Sequence, residues 1–240
     1  MQKFKLLDLF SGIGGFSLGL ERSGGFETVA FCEIDPFCQR VLAKHWPEVP
    51  CYDDVRSLTA ARLAADGIAV DAICGGFPCQ DISVAGKGAG IDGARSGLWK
   101  EYARIVGEFR PRYVIVENVA KLLSDGMGTV LEDLAALGYD AEWHCISASA
   151  IGLPHARDRV WIVAHCDGVR KLQQGWGLSH ERQWNRNRCE AVDWVLSSGG
   201  ILRSNDGISA GLDRIEPIGN AVVPKIPEII GRAIMNSVRE

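Results

Sequence analysis

A cysteine beside a run of glycines is the first residue in this sequence whose setting suggests chemistry. Cys79 lies in the stretch GGFPCQDIS, Gly75–Ser83, directly after an apolar segment with the pattern of a buried strand. Pro78 fixes the backbone just before it. Ligands of α/β sheets bind where strands end, and a thiol attacks as its thiolate. The position fits a nucleophile, with a packed thiol and a metal ligand as the alternatives.

One acid is expected at the same edge as Cys79, and two arginines are further candidates for the site. Glu117 follows the apolar residues of the segment YVIVE, so its carboxylate should emerge where a strand ends. Loss of water there would raise its pKa and keep a proton available. Arg157 and Arg159 follow Pro154 two positions apart, share one face of an extended segment, and can hold a carbonyl or phosphate. The alternatives are a turn-capping or arginine-paired acid and a pair of surface arginines.

A second glycine-rich stretch, DLFSGIGGFSLGLE, follows the first apolar segment and opens a helix. Gly12 and Gly14 match the first two glycines of the dinucleotide fingerprint GxGxxG, but Ser17 occupies the third position. Glycines let the backbone turn tightly and approach a ligand. The stretch is compatible with a nucleotide-type ligand and also with an ordinary strand–helix turn.

Acidic residues near this turn favour a ligand that contains a nucleoside. Glu33 ends the second strand-like segment, where an acid accepts hydrogen bonds from ribose hydroxyls. Asp53 or Asp54 can accept from an adenine amino group. S-adenosylmethionine fits a loop that departs from the dinucleotide pattern, because this cofactor has no pyrophosphate.

Alternating elements must position these residues. Strands are predicted at Lys5–Phe10, Thr28–Glu33, Val70–Gly75, Arg112–Glu117, Asp140–Ser147 and Arg159–His165. Helices are predicted at Gly15–Ser23, Pro36–His45, Ser57–Ala65, Leu98–Phe109, Thr129–Leu137 and from Pro227 onward. The alternation predicts an α/β fold with a doubly wound, mostly parallel sheet.

Residues 166–213 interrupt this rhythm with a polar, weakly periodic stretch, which predicts a small irregular insert. The chain is thus expected to divide into residues 1–165, the insert 166–213, and a segment 214–240 that returns to the first part. The formal net charge is −4, but residues 170–188 hold five basic residues against one acid, with Trp176 and Trp184 among them. The insert is therefore a candidate nucleic-acid surface.

Composition indicates an intracellular globular protein. Apolar residues make up 47% of the 240 and charged residues 23%. No apolar run approaches the roughly 18 residues of a membrane helix, and Asp8 and the glycines after it interrupt the N-terminal apolar patch, which argues against a secretory signal.

Metal binding is not expected. The eight cysteines are scattered without a CxxC pair, so most should be small core residues. The pairs His144–Cys145 and His165–Cys166 stand at adjacent strand positions that point to opposite faces.

Taken together, these stretches resemble the DNA (cytosine-5)-methyltransferase family. The resemblance extends over most of the chain, and the Pro-Cys-Gln and Glu-Asn-Val elements are highly specific in this order. The matching segments are DLFSGIGGFSLGLE, EID (Glu33–Asp35), GGFPCQDIS, GKGAGIDGARSGLW, ENV, GLPHARDRVWIVA and IGNAVVP (Ile218–Pro224). The resemblance implies the Rossmann-like fold of S-adenosylmethionine-dependent methyltransferases, with residues 166–213 as the target-recognition part.

The resemblance also implies a mechanism that gives 5-methylcytosine. Cys79 attacks C6 of a flipped-out cytosine, Glu117 bonds or protonates N3, Arg159 contacts the ring carbonyl, and Arg157 orients the catalytic loop or Glu117. C5 then takes the methyl group from S-adenosylmethionine, leaving S-adenosylhomocysteine, and loss of the C5 proton releases Cys79.

Other family positions are carried over as ligand contacts. The cofactor contacts implied are Phe10, Ser11, Gly12, Gly14, Gly15, Glu33, Ile34, Asp54, Pro78, Leu98, Asn220 and Ala221. The DNA contacts implied are Gln80, Ser83, Lys87 and Arg95. The basic composition of the insert adds Arg182, Arg186 and Arg188 as candidate DNA contacts.

Two departures from the family pattern are visible. His155 stands where the family usually has glutamine, and the insert is much shorter than the usual target-recognition domain. The short insert is compatible with a short or loose target site, or with help from a partner.

The partners implied are double-stranded DNA and no membrane, for a monomer in the cytoplasm of a bacterium, at the nucleoid or encoded by a phage. Neither a companion restriction enzyme nor a recognition sequence is predicted. A nicotinamide-dependent oxidoreductase, a non-catalytic DNA-binding relative and an RNA methyltransferase are the rival hypotheses. The first leaves Cys79 and Glu117 without a role, and the second does not explain why both are retained.

Overall fold

The computed structural model describes residues 2–78, 97–151, 157–166 and 221–239. The strands are β1 (Phe4–Leu9), β2 (Phe26–Cys32), β3 (Cys51–Tyr52), β4 (Ala72–Gly75), β5 (Tyr113–Val119), β6 (Tyr139–Ser147) and β7 (Asp158–Cys166). The α-helices are α1 (Gly15–Arg22), α2 (Pro36–His45), α3 (Ala60–Ala65), α4 (Gly97–Phe109), α5 (Met127–Ala136) and α6 (Lys225–Arg239). Short 3₁₀ helices span Ala120–Leu123 and Ala148–Ile151.

The strands form one seven-stranded sheet in the order β3-β2-β1-β4-β5-β7-β6. Strands β1 to β5 pair in parallel, while β7 runs antiparallel to both β5 and β6. The predicted α/β, mostly parallel sheet is confirmed. The carboxyl ends of the parallel strands therefore share one edge, and the reversed β7 brings its first residues to that same edge.

The strand order changes direction between β1 and β4, which are neighbours in the sheet. Such a switch point leaves a crevice outside the strand ends where α/β proteins bind ligands. The glycine turn after β1 and the Phe77–Pro78 segment after β4 therefore begin side by side.

Apolar side chains cover both faces of the sheet, and their burial provides most of the driving force for folding. On one face, Tyr102, Ile105 and Val106 of α4 pack with Leu7, Val114 and Ile162 of the sheet. On the other face, Leu20 of α1 and Ile230 and Ile234 of α6 pack with Leu6, Tyr113 and Trp161. Along the described ranges, no helix is long and apolar enough to cross a membrane.

Local hydrogen bonds set the ends of the helices. Asp35 Oδ1 accepts from the backbone N–H groups of Phe37 and Cys38, and Pro36 begins α2, as predicted. Helix α3 begins at Ala60 and not at the predicted Ser57, because Thr59 Oγ1 caps it by accepting from Arg62 N. The three-part division at residues 165 and 213 stays a prediction, since residues 167–220 lie outside the described ranges.

Helix α6 packs closely against α1. A Cβ atom at Gly15 would overlap the carbonyl oxygen of Val222, and one at Gly19 would overlap that of Pro224. Gly231 of α6 faces Ser23 with equally little room, since a Cβ would lie 2.6 Å from Ser23 Oγ. The tail is thus joined to the helix that follows the glycine turn.

We expect Gly19→Ala to destabilise the protein, because the added methyl group meets backbone that can move only if α1 and α6 separate. Such overpacking costs about 1–3 kcal/mol of the free energy of unfolding. Chemical denaturation followed by circular dichroism measures this.

Gly128→Ala is the matched control. Gly128 lies on α5, and no atom of the part of the chain that the structure describes is within 4 Å of an added Cβ, so the same change should be neutral or stabilise slightly. Equal midpoints for the two variants would contradict the close packing of α1 on α6.

Candidate active site

The turn between β1 and α1 is held by the carboxylate of Glu33. Gly12 N–H donates to Glu33 Oε2 at 2.7 Å, and Asp35 N–H donates to Oε1 at 2.8 Å. Burial raises the pKa of Glu33, and these two backbone bonds oppose the shift. The acid predicted to bind ribose therefore also fixes the glycine turn, and each oxygen retains a lone pair for a ligand.

The glycines of this turn differ in what surrounds them. An added Cβ at Gly14, where φ is +85°, would lie 2.6 Å from the indole of Trp46. At Gly12, where φ is +53°, it would meet no atom of the described residues within 4 Å. Gly12 thus faces open space from which a ligand can approach the backbone, whereas Gly14 and Gly15 are required by packing inside the protein.

Ile34, Asp54 and Ala221 are three of the other predicted cofactor positions that the structure describes. Ile34 is 70% exposed beside Glu33, which is unusual for a large apolar residue and suits contact with a flat ring. Ala221 packs with Ile13 of the turn. Asp54 Oδ1 accepts from Arg56 N at 2.9 Å, which holds the turn after β3. Ile34 and Ala221 thus lie near the glycine turn and Asp54 follows β3, and the binding of a cofactor by these residues stays a prediction.

A buried acid below the turn was missed by the sequence analysis. Asp8 lies fully buried on β1 and accepts a hydrogen bond from Ser17 Oγ at 2.7 Å. Burial raises its pKa to about 7, against hydrogen bonds from Ser17 and Cys74 that lower it. Ser17 occupies the third fingerprint position, where its hydroxyl group bonds to the buried carboxyl group of Asp8. The signal in the sequence was a lone acid inside an apolar strand.

Glu117 and Arg159 meet at the end of β5. Arg159 Nε lies 2.9 Å from Glu117 Oε1, and Glu117 is 8% exposed. In the antiparallel ladder Arg159 stands opposite Val119, two residues from Glu117 and therefore on the same face. Burial raises the pKa of Glu117, while the charges of Arg159 and Arg157 lower it. The expectation that desolvation raises this pKa is confirmed, and so is the pairing with an arginine.

Arg157 lies close enough to share this electrostatic environment. Burial and the charge of Arg159 lower its pKa, and Glu117 opposes that shift. Its backbone carbonyl accepts from Ala148 N–H at 3.1 Å, which anchors the start of β7. The structure thus brings together three of the four predicted catalytic residues.

The strand that leads to Cys79 ends against Glu117. A Cβ at Gly76 would lie 2.7 Å from Glu117 Oε2, so only glycine leaves room for the carboxylate. Asn118, 2% exposed, donates from Nδ2 to the carbonyl of Phe77 at 3.0 Å and accepts from Val119 N–H at 2.9 Å. Asn118 was noted in the ENV stretch without a role, and it holds the segment just before Pro78.

Several predicted residues lie outside the described ranges, so their placement stays a prediction. These are Cys79, Gln80, Ser83, Lys87, Arg95, His155, Arg182, Arg186, Arg188 and Asn220. Of the predicted insert 166–213, only Cys166 is described, and it is the last residue of β7. Within the described ranges, no group of three or more His, Cys, Asp or Glu side chains could hold a metal ion.

Comparison with known proteins identifies a family. Residues 4–190 match the model of C-5 cytosine-specific DNA methylases. The Type II methyltransferase M2.BsuMI of Bacillus subtilis is 38% identical over 168 residues, 67% of this chain and 41% of that protein. The Type II methylase M.HgiEI of Herpetosiphon aurantiacus is 36% identical over 233 residues, 91% of this chain and 52% of that protein. The chain spans about half the length of these curated relatives, or less.

Solved structures agree in fold. The methyltransferase EhMeth of Entamoeba histolytica superposes with a TM-score of 0.73 at 14% identity and full coverage of both chains. A putative DNA modification methyltransferase encoded within an E. coli prophage gives a TM-score of 0.68 at 18% identity, with coverage of 99% of this chain and 100% of that one. The sheet is thus the Rossmann-like sheet of methyltransferases.

Asp8→Asn should change how stability depends on pH. The Asp8 pKa is higher in the folded protein than in the unfolded chain, so its contribution is present at low pH and is lost as pH rises toward 7. Asparagine has no such titration and still accepts from Ser17. From pH 5 to pH 8, the parent should lose about 2–3 kcal/mol of unfolding free energy relative to the variant.

Asp125→Asn is the control for this experiment. A hydrogen bond from Lys121 lowers the pKa of the partly exposed Asp125 carboxylate, so its titration lies below pH 5. The stability difference between that variant and the parent should be flat from pH 5 to pH 8. A flat difference for Asp8→Asn as well would show that Asp8 does not titrate in this range.

Proposed function

The chain belongs to the C-5 cytosine-specific DNA methylase family, and on that premise we propose that it transfers a methyl group from S-adenosylmethionine to C5 of cytosine in double-stranded DNA. The observation that carries this proposal is the buried Glu117–Arg159 pair beside the segment that ends at Pro78, one residue before Cys79. A carboxyl group and a guanidinium placed there can bind the polar edge of one pyrimidine ring.

Cys79 is the proposed nucleophile. Its thiolate attacks C6 of a cytosine that has left the helix, and the C5–C6 π electrons move to C5 as the S–C6 bond forms. Methylation of C5 and removal of the C5 proton by a base then let the S–C6 bond break. The thiolate leaves and the ring regains its double bond.

Glu117 is proposed to stabilise the negative charge that attack places on the ring. Its pKa is raised by burial, which favours the protonated form that can donate to N3. Gly76 allows the carboxyl group to lie close to the end of β4. Removal of water from this position strengthens the hydrogen bond to the ring.

Arg159 and Arg157 are proposed to orient the base and the acid. Arg159 uses Nε for Glu117 and Nη1 for the carbonyl of Asp158. A guanidinium carries five N–H donors, so a donor remains for the ring carbonyl. Arg157 adds positive charge on the same side and helps keep Glu117 oriented.

The residues around the glycine turn fit S-adenosylmethionine. Gly12 faces open space, Glu33 can accept from ribose hydroxyls, and Ile34 offers an exposed apolar surface to the adenine. Asp54 can accept from the adenine amino group. When bound, the cofactor supplies an electrophilic methyl group.

DNA binding is proposed to use Gln80, Ser83, Lys87 and Arg95 together with the basic insert. The five basic residues at 170–188 can bind phosphates and the tryptophans can stack on bases. Because similar relatives are bacterial Type II methyltransferases, we expect a monomer that acts on DNA in the bacterial cytoplasm.

The test is methylation of double-stranded DNA with labelled S-adenosylmethionine, read out as 5-methylcytosine by bisulfite sequencing. The parent should methylate DNA, and Cys79→Ser should bind the cofactor but transfer no methyl group, because its hydroxyl is a far weaker nucleophile. Cys145→Ser, at an exposed thiol on β6, is the control and should keep full activity. Transfer to RNA alone, or an active Cys79→Ser protein, would overturn the proposal.

Gly76→Ala tests whether the position of the Glu117 carboxylate affects catalysis without affecting cofactor binding. The added methyl group must displace the Glu117 carboxylate. We expect kcat to fall by about 10- to 100-fold, since a misplaced acid loses most of its contribution, with cofactor Kd unchanged. Gly128→Ala is the control, and an unchanged kcat for Gly76→Ala would contradict the placement.

A further inference from the structure

Four aromatic rings in contact, here called the stack, connect the glycine turn to the segment before Cys79; the Phe10–Tyr102 and Tyr102–Trp99 pairs are stacked and the Trp99–Phe77 pair is tilted by 48°. Phe10 follows β1, Tyr102 and Trp99 lie on α4, and Phe77 follows β4. Ring centroids are 6.4 Å apart for Phe10 and Tyr102, 5.5 Å for Tyr102 and Trp99, and 5.3 Å for Trp99 and Phe77. All three distances lie in the range of favourable aromatic pairs.

Hydrogen bonds fix the two central rings. The indole N–H of Trp99 donates to Asp133 Oδ2 on α5 at 2.7 Å, and the hydroxyl of Tyr102 donates to the carbonyl of Ile115 on β5 at 3.3 Å. Trp99 is 3% exposed and Tyr102 is fully buried. In a close-packed interior, rings held in this way move only with their neighbours.

The two ends of the stack belong to the two halves of the proposed reaction. Phe10 adopts a left-handed backbone conformation, with φ of 53°, at the start of the turn that faces the cofactor. Phe77 is held at its carbonyl by Asn118 and lies two residues before Cys79. A shift of either segment must therefore be accommodated by Trp99 and Tyr102.

We propose that Trp99 and Tyr102 are positioning residues. They hold the backbone that leads to Cys79 at a fixed position relative to the glycine turn. Trp99 contacts Phe77 and thereby fixes the position of the backbone that leads to Cys79. Tyr102 acts through Phe10 as well as Trp99, so it influences both cofactor binding and attack. The inference rests on the proposed function, because its readouts are cofactor binding and attack by Cys79.

The test uses Trp99→Leu, Trp99→Phe and Tyr102→Leu. Cofactor Kd is measured by calorimetry, and attack is measured as the rate of covalent trapping on duplex DNA that contains 5-fluorocytosine. Trp99→Leu should slow trapping by about five- to tenfold, with Kd within about twofold of the parent. Trp99→Phe should restore most of the rate because it keeps a ring. Tyr102→Leu should slow trapping and also weaken cofactor binding.

Two further variants guard against general loss of stability. Tyr139→Leu removes a buried ring from the same core cluster but outside the stack, and should lower Tm without slowing trapping. Asp133→Ala frees the indole without opening a cavity at the stack and should slow trapping by about two- to threefold.

The outcomes separate the two claims. An active parent whose trapping rate is unchanged in Trp99→Leu, or equally reduced in Trp99→Phe and Tyr139→Leu, overturns the positioning role alone. A parent that neither methylates nor becomes trapped overturns the proposed function, and the inference with it.

Discussion

A carboxylate buried at the end of β5 sets the conditions for the rest of the site. Taking a charge out of water costs several kcal/mol unless a partner compensates, and Arg159 is that partner. Only an antiparallel neighbour of β5 can supply an arginine from the start of a strand to this edge. The reversed β7 in an otherwise parallel sheet therefore has a direct consequence for chemistry.

The same burial restricts the strand on the other side of Glu117. Gly76 has no room for a side chain, and Asn118 donates from its amide nitrogen to the carbonyl of Phe77, which holds the backbone that leads to Pro78. At the switch point, Glu33 holds the glycine turn and Asp8 holds Ser17. Each half of the site thus contains a buried acid, Glu33 at the glycine turn and Glu117 at the end of β5. Helix α4 contacts both halves, through Tyr102 against Phe10 and through Trp99 against Phe77.

Periodicity predicted six of the seven strands and missed β3, which has only two residues. Motif spacing predicted which strand ends carry the candidate site. Strand alternation located β1, β5 and β7 to within about two residues, because buried strands have a strong apolar pattern. The predicted start of α3 was wrong, because Thr59 caps the helix at Ala60 and the residues after Asp54 form an Asx turn. Asp8–Ser17, Gly76–Glu117 and Asn118–Phe77 could not be predicted, since each depends on which strands are neighbours.

The glycine motif was predicted correctly as a turn, but ligand binding explains only part of its glycine content. Glycine at positions 12, 14 and 15 was expected to serve a ligand, but only Gly12 faces open space. Gly15 and Gly19 instead leave room for the backbone of residues 222–224, so the helix that follows the glycine turn packs against the C-terminal segment. These contacts join the two ends of the sequence across one face of the sheet without using residues 166–213. Among the described residues, the hydrogen bonds of the glycine turn and of the Glu117–Arg159 pair are made by residues 8–159, and residues 222–224 pack against α1 beside them.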